Sequence, residues 1–180
     1  LDTHDIPRFK TFTLPGAQKV AAGMQFTFPG MPVVFAGDEF GLDGTIGENS
    51  RTPIPWNDER PNDKSMLENY KAFSKIRKEN TALHDGCMRF VYVSEETVAY
   101  VRENKKQAIL VVASRGSDKN ATIPVDSIPG IRQAKNLFGG GKLKVTGKQV
   151  MLPSEPLTIN IWAIPSQSYD GSDAFILAIP

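Results

Sequence analysis

The first residues able to do chemistry stand together near the start of the chain, where His4 and Asp5 are neighbours and Arg8 follows. A neutral imidazole donates from one ring nitrogen while the other accepts, and a carboxylate accepts hydrogen bonds. Such a pair suits the binding of ligand hydroxyl groups. The alternative is that Asp5 caps a turn and His4 packs, which is common for this dipeptide in loops. For Arg8 we favour a structural part as a loop tie over a catalytic one.

Asp38 and Glu39 form a second polar group, set between two turn glycines, Gly37 and Gly41. Their types would suit a pair of catalytic carboxyls. Successive side chains of an extended segment point to opposite sides, however, so these two cannot both reach one substrate atom. We expect them to organise the loop face instead.

Arg51 and Trp56 lie in a third stretch, the polar segment Gly47–Trp56. We expect Arg51 to tie this segment back to the Asp38–Glu39 pair, and Trp56 to pack beneath the segment. Taken singly, each stretch is explained by turn glycines or by a core tryptophan. The three stretches in this order are hard to explain by chance.

Two helices and a strand are predicted to position these groups. After Pro15-Gly16, apolar residues recur at three- and four-residue steps and predict a helix that ends at Pro29-Gly30, with a buried face made of Ala17, Val20, Ala21, Met24 and Phe28. The continuous apolar run Pro32–Gly37 predicts a strand buried on both faces. A second helix, capped by Asn62 or Asp63, ends near residue 80 and buries Met66, Tyr70, Phe73 and either Ile76 or Arg77.

The pattern changes near residues 83 to 87, after which short β-type runs alternate with turn residues. Several short strands at such spacing predict an antiparallel sandwich. The predicted strands are 90–93, 97–101, 108–112, 143–145, 149–152, 158–162 and 174–177. The chain is therefore predicted to be α/β over residues 1–83 and all-β over residues 84–180.

Composition limits the partners. The 21 Lys and Arg residues against 20 Asp and Glu residues leave no basic excess for nucleic acid or an anionic membrane. No apolar run reaches the roughly 20 residues that span a bilayer. The single Cys87 cannot form an intramolecular disulfide, and no Cys/His cluster has zinc spacing, so we predict no metal and no cofactor. One cysteine slightly favours a cytoplasmic location, although a secreted enzyme also tolerates it.

These motifs resemble those of the α-amylase family of glycoside hydrolases, in the branch that holds neopullulanases, cyclomaltodextrinases, maltodextrin glucosidases and oligo-1,6-glucosidases. Leu1–Phe9 is similar to the motif at the end of barrel strand seven. Met31–Leu42 is similar to strand eight, and Glu48–Trp56 to the loop that commonly reads Arg-x-Pro-Met-x-Trp. Residues 62–80 resemble the last barrel helix, and those from about 87 resemble the C-terminal β-sandwich.

The resemblance implies that residues 1–83 are the last two βα units of a (β/α)8 barrel and that residues 84–180 are the C-terminal sandwich. A complete barrel takes about 250 residues, and two βα units cannot close a parallel sheet. We therefore expect the earlier barrel units to lie upstream of Leu1, and this missing N-terminal portion to be a partner of the chain.

The resemblance also implies a retaining hydrolase of α-glucosidic bonds, with maltooligosaccharides or related α-glucans as substrates and the α-1,4 or α-1,6 linkage left open. Retention needs two carboxyl groups about 5–5.5 Å apart. The family places its nucleophile and general acid on strands four and five, upstream of Leu1. Asp5 matches the third family carboxylate, which stabilises the transition state, and His4 matches a sugar-binding histidine. The chain alone is expected to be inactive.

Two other functions remain open. The sandwich by itself would be a non-catalytic carbohydrate-binding module if it exposed a coplanar pair of aromatic rings, for which the candidates are Phe90, Tyr92, Tyr100, Phe138 and Trp162. The chain would otherwise belong to a catalytically silent relative, against which the presence of His4 and Asp5 argues mildly.

Overall fold

The computed structural model describes residues 1–45, 47–54, 56 and 63–165. In these residues a helical segment comes first, with α1 at Ala17–Thr27, α2 at Lys64–Glu79 and α3 at Ala82–Asp85. The strands follow: β1 Cys87–Val93, β2 Thr97–Glu103, β3 Gln107–Ser114, β4 Thr122–Pro124, β5 Lys135–Phe138, β6 Lys144–Thr146, β7 Gln149–Met151 and β8 Thr158–Pro165.

The strands form two antiparallel sheets. The larger sheet has the order β1-β2-β3-β8-β5, and the smaller has the order β4-β7-β6. Strand β8 therefore returns beside β3, where Leu110 faces Trp162 in the register. The predicted change to antiparallel strands is confirmed over the described residues 87–165.

The larger sheet is buried on both faces, which explains the continuous apolar run of β3. Ile109 and Val111 point to the core shared with α1 and α2, whereas Leu110 and Val112 point to the core shared with the smaller sheet. Alternate side chains of a strand lie on opposite faces, so a strand covered on both sides must be apolar throughout. This two-sided burial attaches the helices to the sandwich.

Six of the seven predicted strands form where they were expected, as β1, β2, β3, β6, β7 and β8. The predicted strand at 174–177 lies outside the described residues. Strands β4 and β5 were not predicted. The first has three residues and contains Pro124, and the second is exposed at Lys135 and Asn136, so neither shows the apolar pattern of a buried strand.

The predicted second helix is confirmed as α2. Its buried residues are Met66, Tyr70, Phe73 and Ile76, as the spacing predicted. The Asp63 carboxylate caps it by accepting a hydrogen bond from the amide of Met66 at 3.1 Å. Such a cap satisfies one of the amides that a helix start leaves without a partner.

The first helix is also confirmed, but its predicted face was wrong. The apolar residues that α1 buries are Ala22, Gly23 and Phe26, whereas Val20 and Met24 pack only at the rim of the core. Gly23 sets this rotation, because a Cβ there would lie 2.6 Å from Ile159 Cδ1. The helix thus approaches the sheet through its small residues, which a pattern weighted towards large apolar side chains could not show.

The predicted strand Pro32–Gly37 does not form in the described part of the chain. Met31 and Val33 are 86% and 68% exposed, and residues 31–35 have no strand pairing. A parallel strand buried on both faces needs strands beside it and helices over it, and the described residues supply neither to this segment.

Two arginines bind the C-terminal end of α1. Arg102 of β2 is fully buried and donates from Nη1 to the carbonyl of Thr27 at 2.7 Å. Arg77 of α2 donates from Nη1 to the carbonyl of Phe26 at 2.7 Å. The last carbonyls of a helix lack helical partners and carry partial negative charge, so cations are favoured there. These contacts fix α1 to both α2 and the sandwich.

Candidate functional site

Arg8 ties three segments together beneath the N-terminal turn. Its guanidinium is fully buried. Nη1 lies 3.0 Å from Asp38 Oδ1, Nη2 donates to the carbonyl of Ala36 at 2.8 Å, and Nε donates to the carbonyl of Ser50 at 3.0 Å. Hydrogen bonds from a charged donor are among the strongest that a protein forms. The contacts are those of a loop tie.

Asp2 and Asp38 share the buried space beside this arginine. Asp2 Oδ1 accepts from the amide of Phe9 at 2.8 Å, and Asp2 Oδ2 lies 4.0 Å from Arg8 Nη1. Burial, followed by a hydrogen bond and charge repulsion from Asp2, raises the pKa of Asp38 to about 7. Each carboxyl leaves its Oδ2 without a hydrogen-bond donor. The Asp38 carboxyl thus keeps its proton up to about pH 7 and shares it with Asp2 through the hydrogen bond between the two side chains.

The His4–Asp5 pair lies above this cluster and faces solvent. His4 Nε2 is 3.1 Å from Asp5 Oδ1, and the two side chains are 67% and 70% exposed. The amide of Asp5 donates to Thr3 Oγ1 at 3.2 Å, which holds the turn. The structure thus presents an imidazole and a carboxylate together in an open position, where both can meet a ligand. We call this pair the His4–Asp5 corner.

Arg51 and Glu39 organise the surrounding loops. Arg51 Nε donates to the carbonyl of His4 at 3.3 Å, so the Gly47–Trp56 segment reaches the corner itself. The predicted tie between Arg51 and the Asp38–Glu39 pair stays a prediction. Glu39 Oε2 accepts from the amide of Gly37 at 2.8 Å and thereby closes the turn that carries Asp38.

Trp56 does not pack beneath its segment, and that expectation was wrong. Its side chain is 76% exposed. The ring meets Phe40 at a centroid distance of 5.8 Å with an interplanar angle of 76°. Phe40 therefore offers it only an edge-to-face contact, and most of the indole stays in solvent.

Sequence reasoning missed two polar residues of the site, Asp2 and Gln18. Gln18 is buried in α1 and donates from Nε2 to the carbonyl of Asp38 at 3.0 Å. The available signal was a glutamine in the first turn of a helix made mostly of small and apolar residues. For Asp2 the signal was an acidic residue close in sequence to Arg8. A guanidinium that is buried needs a carboxylate nearby, because an unpaired buried charge is strongly destabilising.

Most of the aromatic residues considered as sugar-stacking platforms are buried or engaged in other contacts. Tyr100 and Trp162 are buried in the two cores. Tyr92 donates its hydroxyl hydrogen to Asp118 Oδ2 at 2.7 Å. Phe90 stays 46% exposed but meets Tyr100 at 70°, so these two rings are not coplanar. Phe138 is half-buried.

In the part of the chain that the structure describes, no cluster of three or more His, Cys, Asp or Glu residues could hold a metal ion. Over the same residues, none of the helices combines the length and the apolar character needed to cross a membrane.

Sequence comparison finds similar enzymes. No family model matches the chain. A cyclomaltodextrinase of Thermoanaerobacter pseudethanolicus is 33% identical over 148 residues, which cover 79% of this chain and 25% of that protein. Alpha-amylase 2 of Dictyoglomus thermophilum is 34% identical over 68 residues, which cover 38% of this chain and 12% of that protein. The chain thus spans about a quarter or less of the length of these two relatives.

Solved structures share the fold. The debranching enzyme of Nostoc punctiforme superposes with a TM-score of 0.78 at 23% identity, covering 90% of this chain and 34% of that one. An α-amylase from Anoxybacillus superposes with a TM-score of 0.78 at 18% identity, covering 94% of this chain and 38% of that one. At such identities the likeness establishes the fold.

Proposed function

The chain belongs to the α-amylase family of glycoside hydrolases, and from that premise we propose that it is the C-terminal part of a retaining enzyme. Its substrates are maltooligosaccharides or related α-glucans. The relatives that support this proposal are a cyclomaltodextrinase and an α-amylase. The proposal concerns the whole protein, of which this chain supplies one side of the active site and a sandwich domain.

In this proposal residues 1–83 complete a (β/α)8 barrel and residues 84–180 form the sandwich beside it. Exposed apolar residues before and after α1 support the barrel. Phe12, Leu14, Met31 and Val33 are each more than 60% exposed. Large apolar side chains left in solvent in this way are typical of a surface that another part of a protein covers. Earlier barrel strands would pair with residues 32–37 and turn them into the strand that the sequence predicts.

The exposed His4–Asp5 corner is the observation that carries the proposal. Its two side chains lie 3.1 Å apart and are open to solvent, while their turn is anchored from below by Arg8. Asp5 would accept hydrogen bonds from sugar hydroxyls and favour the positively charged, distorted ring of the transition state. His4 would donate to a hydroxyl of the same sugar. Such hydrogen bonds strengthen in the transition state and contribute several kcal/mol.

The chain alone would not hydrolyse substrate. Retention requires a nucleophile and a general acid held about 5–5.5 Å apart. In the proposal Asp5 is neither of these, and the family's pair stands on earlier strands. A chromogenic α-glucoside incubated with the chain should release no more chromophore than a protein-free control. Turnover above that control would contradict the assignment of Asp5 as the third carboxylate.

Asp5→Asn in the full-length enzyme tests the assigned role. The substitution keeps the shape of the side chain and removes its charge. We expect kcat to fall by about a thousandfold or more, since several kcal/mol of transition-state stabilisation are lost. Asp126→Asn, at an exposed aspartate of the sandwich, is the matched control and should keep wild-type kcat. A near-normal kcat for Asp5→Asn, with circular dichroism unchanged, would refute the role.

A further inference from the structure

A cleft of about 360 Å3 opens where the helices meet the sandwich. Its walls come from five places: Lys19 on α1, Asn69 on α2, Phe138 with the Gly139–Gly141 turn after β5, Glu155 before β8, and residues 158–160 of β8 itself. No residue of the His4–Asp5 corner contributes to it. The cleft is therefore a separate feature, built jointly by the helical segment and the sandwich.

Backbone conformation and packing explain the presence of glycine at two of the three positions in the turn at the mouth of the cleft. Gly139 has a φ of +87°, and a Cβ at Gly141 would lie 2.6 Å from the ring of Pro153. The fold thus requires glycine at both positions. Gly140 differs, since its φ is ordinary and a Cβ there would meet nothing within 4 Å. The missing side chain at Gly140 has no packing reason, and its effect is to leave the mouth of the cleft open.

The turn is also fixed in place, as a preformed site requires. Asn160 Oδ1 accepts a hydrogen bond from the amide of Gly141 at 2.8 Å. The Phe138 ring packs on Phe73 of the core at a centroid distance of 4.5 Å. A ligand that enters the cleft therefore meets a wall that is already ordered, which lowers the entropy cost of binding.

The chemistry of the lining selects a neutral, hydroxyl-bearing ligand. Lys19 and Glu155 carry opposite charges, so the lining favours neither an anion nor a cation. The amide of Asn69 both donates and accepts. Phe138 supplies an apolar ring of the kind on which the C–H face of a sugar rests. The volume lies at the small end of ligand sites, which suits one or two sugar rings rather than a long chain.

We propose that this cleft is an accessory saccharide site that holds one or two glucose units of an α-glucan. The glucan identity rests on the proposed function, whereas the position and neutrality of the site rest on the cleft itself. An enzyme with such a site would grip a long substrate at a second point, on the sandwich side of the molecule.

Maltotriose titration of the isotopically labelled chain, followed by amide chemical shifts, tests the proposal directly. We expect millimolar binding, with shifts at Gly139–Gly141 and at the side-chain amide of Asn69. Gly140→Leu should fill the open mouth without a clash and weaken binding at least tenfold. Lys105→Leu, at an exposed turn outside the cleft, adds the same side chain and should bind as the wild type does. Asn69→Ala gives an independent test if the leucine disturbs the turn.

Three outcomes of this experiment would overturn the proposed accessory site. These are the absence of any shift with maltotriose, unchanged binding by both Gly140→Leu and Asn69→Ala, or a response to inorganic phosphate without one to maltotriose. Shifts confined to His4 and Asp5 would also overturn it, while supporting the proposed active-site corner. The proposed function is judged separately by the Asp5→Asn enzyme, so the two failures can be told apart.

Discussion

The shared proton of Asp2 and Asp38 makes a quantitative prediction about stability. Asp38→Asn should remove a pH dependence that the wild-type chain shows. The asparagine keeps an oxygen in place to accept from Arg8 Nη1, as Asp38 Oδ1 does at 3.0 Å. Its amide nitrogen can donate to the Oδ2 of Asp2, which lacks a donor in the structure. The variant thus replaces the shared proton with a permanent one.

The sign follows from which state holds the proton. The folded chain keeps the Asp38 proton up to about pH 7, whereas an ordinary aspartate loses it near 3.8. Between these values the folded state binds more protons, so the free energy of unfolding falls as pH rises, by about 1.4 kcal/mol per pH unit. The fall totals about 4 kcal/mol and ends above pH 7. Burial raises the pKa of Tyr70, so its hydroxyl does not titrate in this window.

Urea unfolding measured from pH 4 to pH 8 checks this prediction. The quantity to compare is the difference in free energy of unfolding between the wild type and Asp38→Asn. This difference should grow in favour of the variant as pH rises and level off above about 7. Asp2→Asn should flatten the profile only in part, because burial, the largest cause of the raised pKa of Asp38, remains in that variant. The exposed Asp126→Asn should leave the profile unchanged. A difference that stays constant across the range would refute the shared proton.

Two further substitutions test the packing and the capping. Gly23→Ala should lower the free energy of unfolding by about 1–2 kcal/mol, because the clash of the new methyl with Ile159 Cδ1 in a close-packed core outweighs the gain in helix propensity. Ile159→Val should relieve part of that loss in a double-mutant cycle. A Gly23→Ala variant more stable than the wild type would contradict the packing. Asp63→Ala should cost about 1 kcal/mol through loss of the cap on Met66, while Asp63→Asn should keep most of it. Equal losses for the two Asp63 variants would show that capping is not the cause.

The sequence predicted local elements well where their partners lie within the chain. The buried face of α2 followed from spacing, because α1 lies within the chain and covers that face through Phe26. The central strand β3 followed from its apolar run. The rotation of α1 was not predictable, since it depends on Gly23 meeting Ile159, more than a hundred residues away. Periodicity counts apolar side chains and gives no weight to a residue that packs by being small.

The strand predicted at residues 32–37 does not form, because the partners it needs are absent from the described residues. Its composition is that of a strand covered on both faces, and within the described residues no strand pairs with it. The β-propensity of a segment predicts a strand only where neighbouring strands and a covering layer are present to pair and pack with it. The mismatch between an apolar run and its exposure is therefore informative, because it marks the side on which the proposed barrel would continue.

The candidate site also has a part that the sequence predicts and a part that it does not. His4, Asp5 and the structural part of Arg8 could be named from residue type and neighbourhood, but the burial of Arg8 between Asp2 and Asp38 could not. A buried carboxylate and guanidinium seldom add net stability, because desolvation offsets their attraction. The Asp2–Arg8–Asp38 cluster even holds a carboxyl whose pKa burial raises to about 7. Stability alone does not account for such a cluster. Its position does, since Asp2 and Arg8 flank the turn that presents His4 and Asp5. Fixing both ends of that turn holds the exposed pair in one orientation, as the proposed role in sugar binding requires.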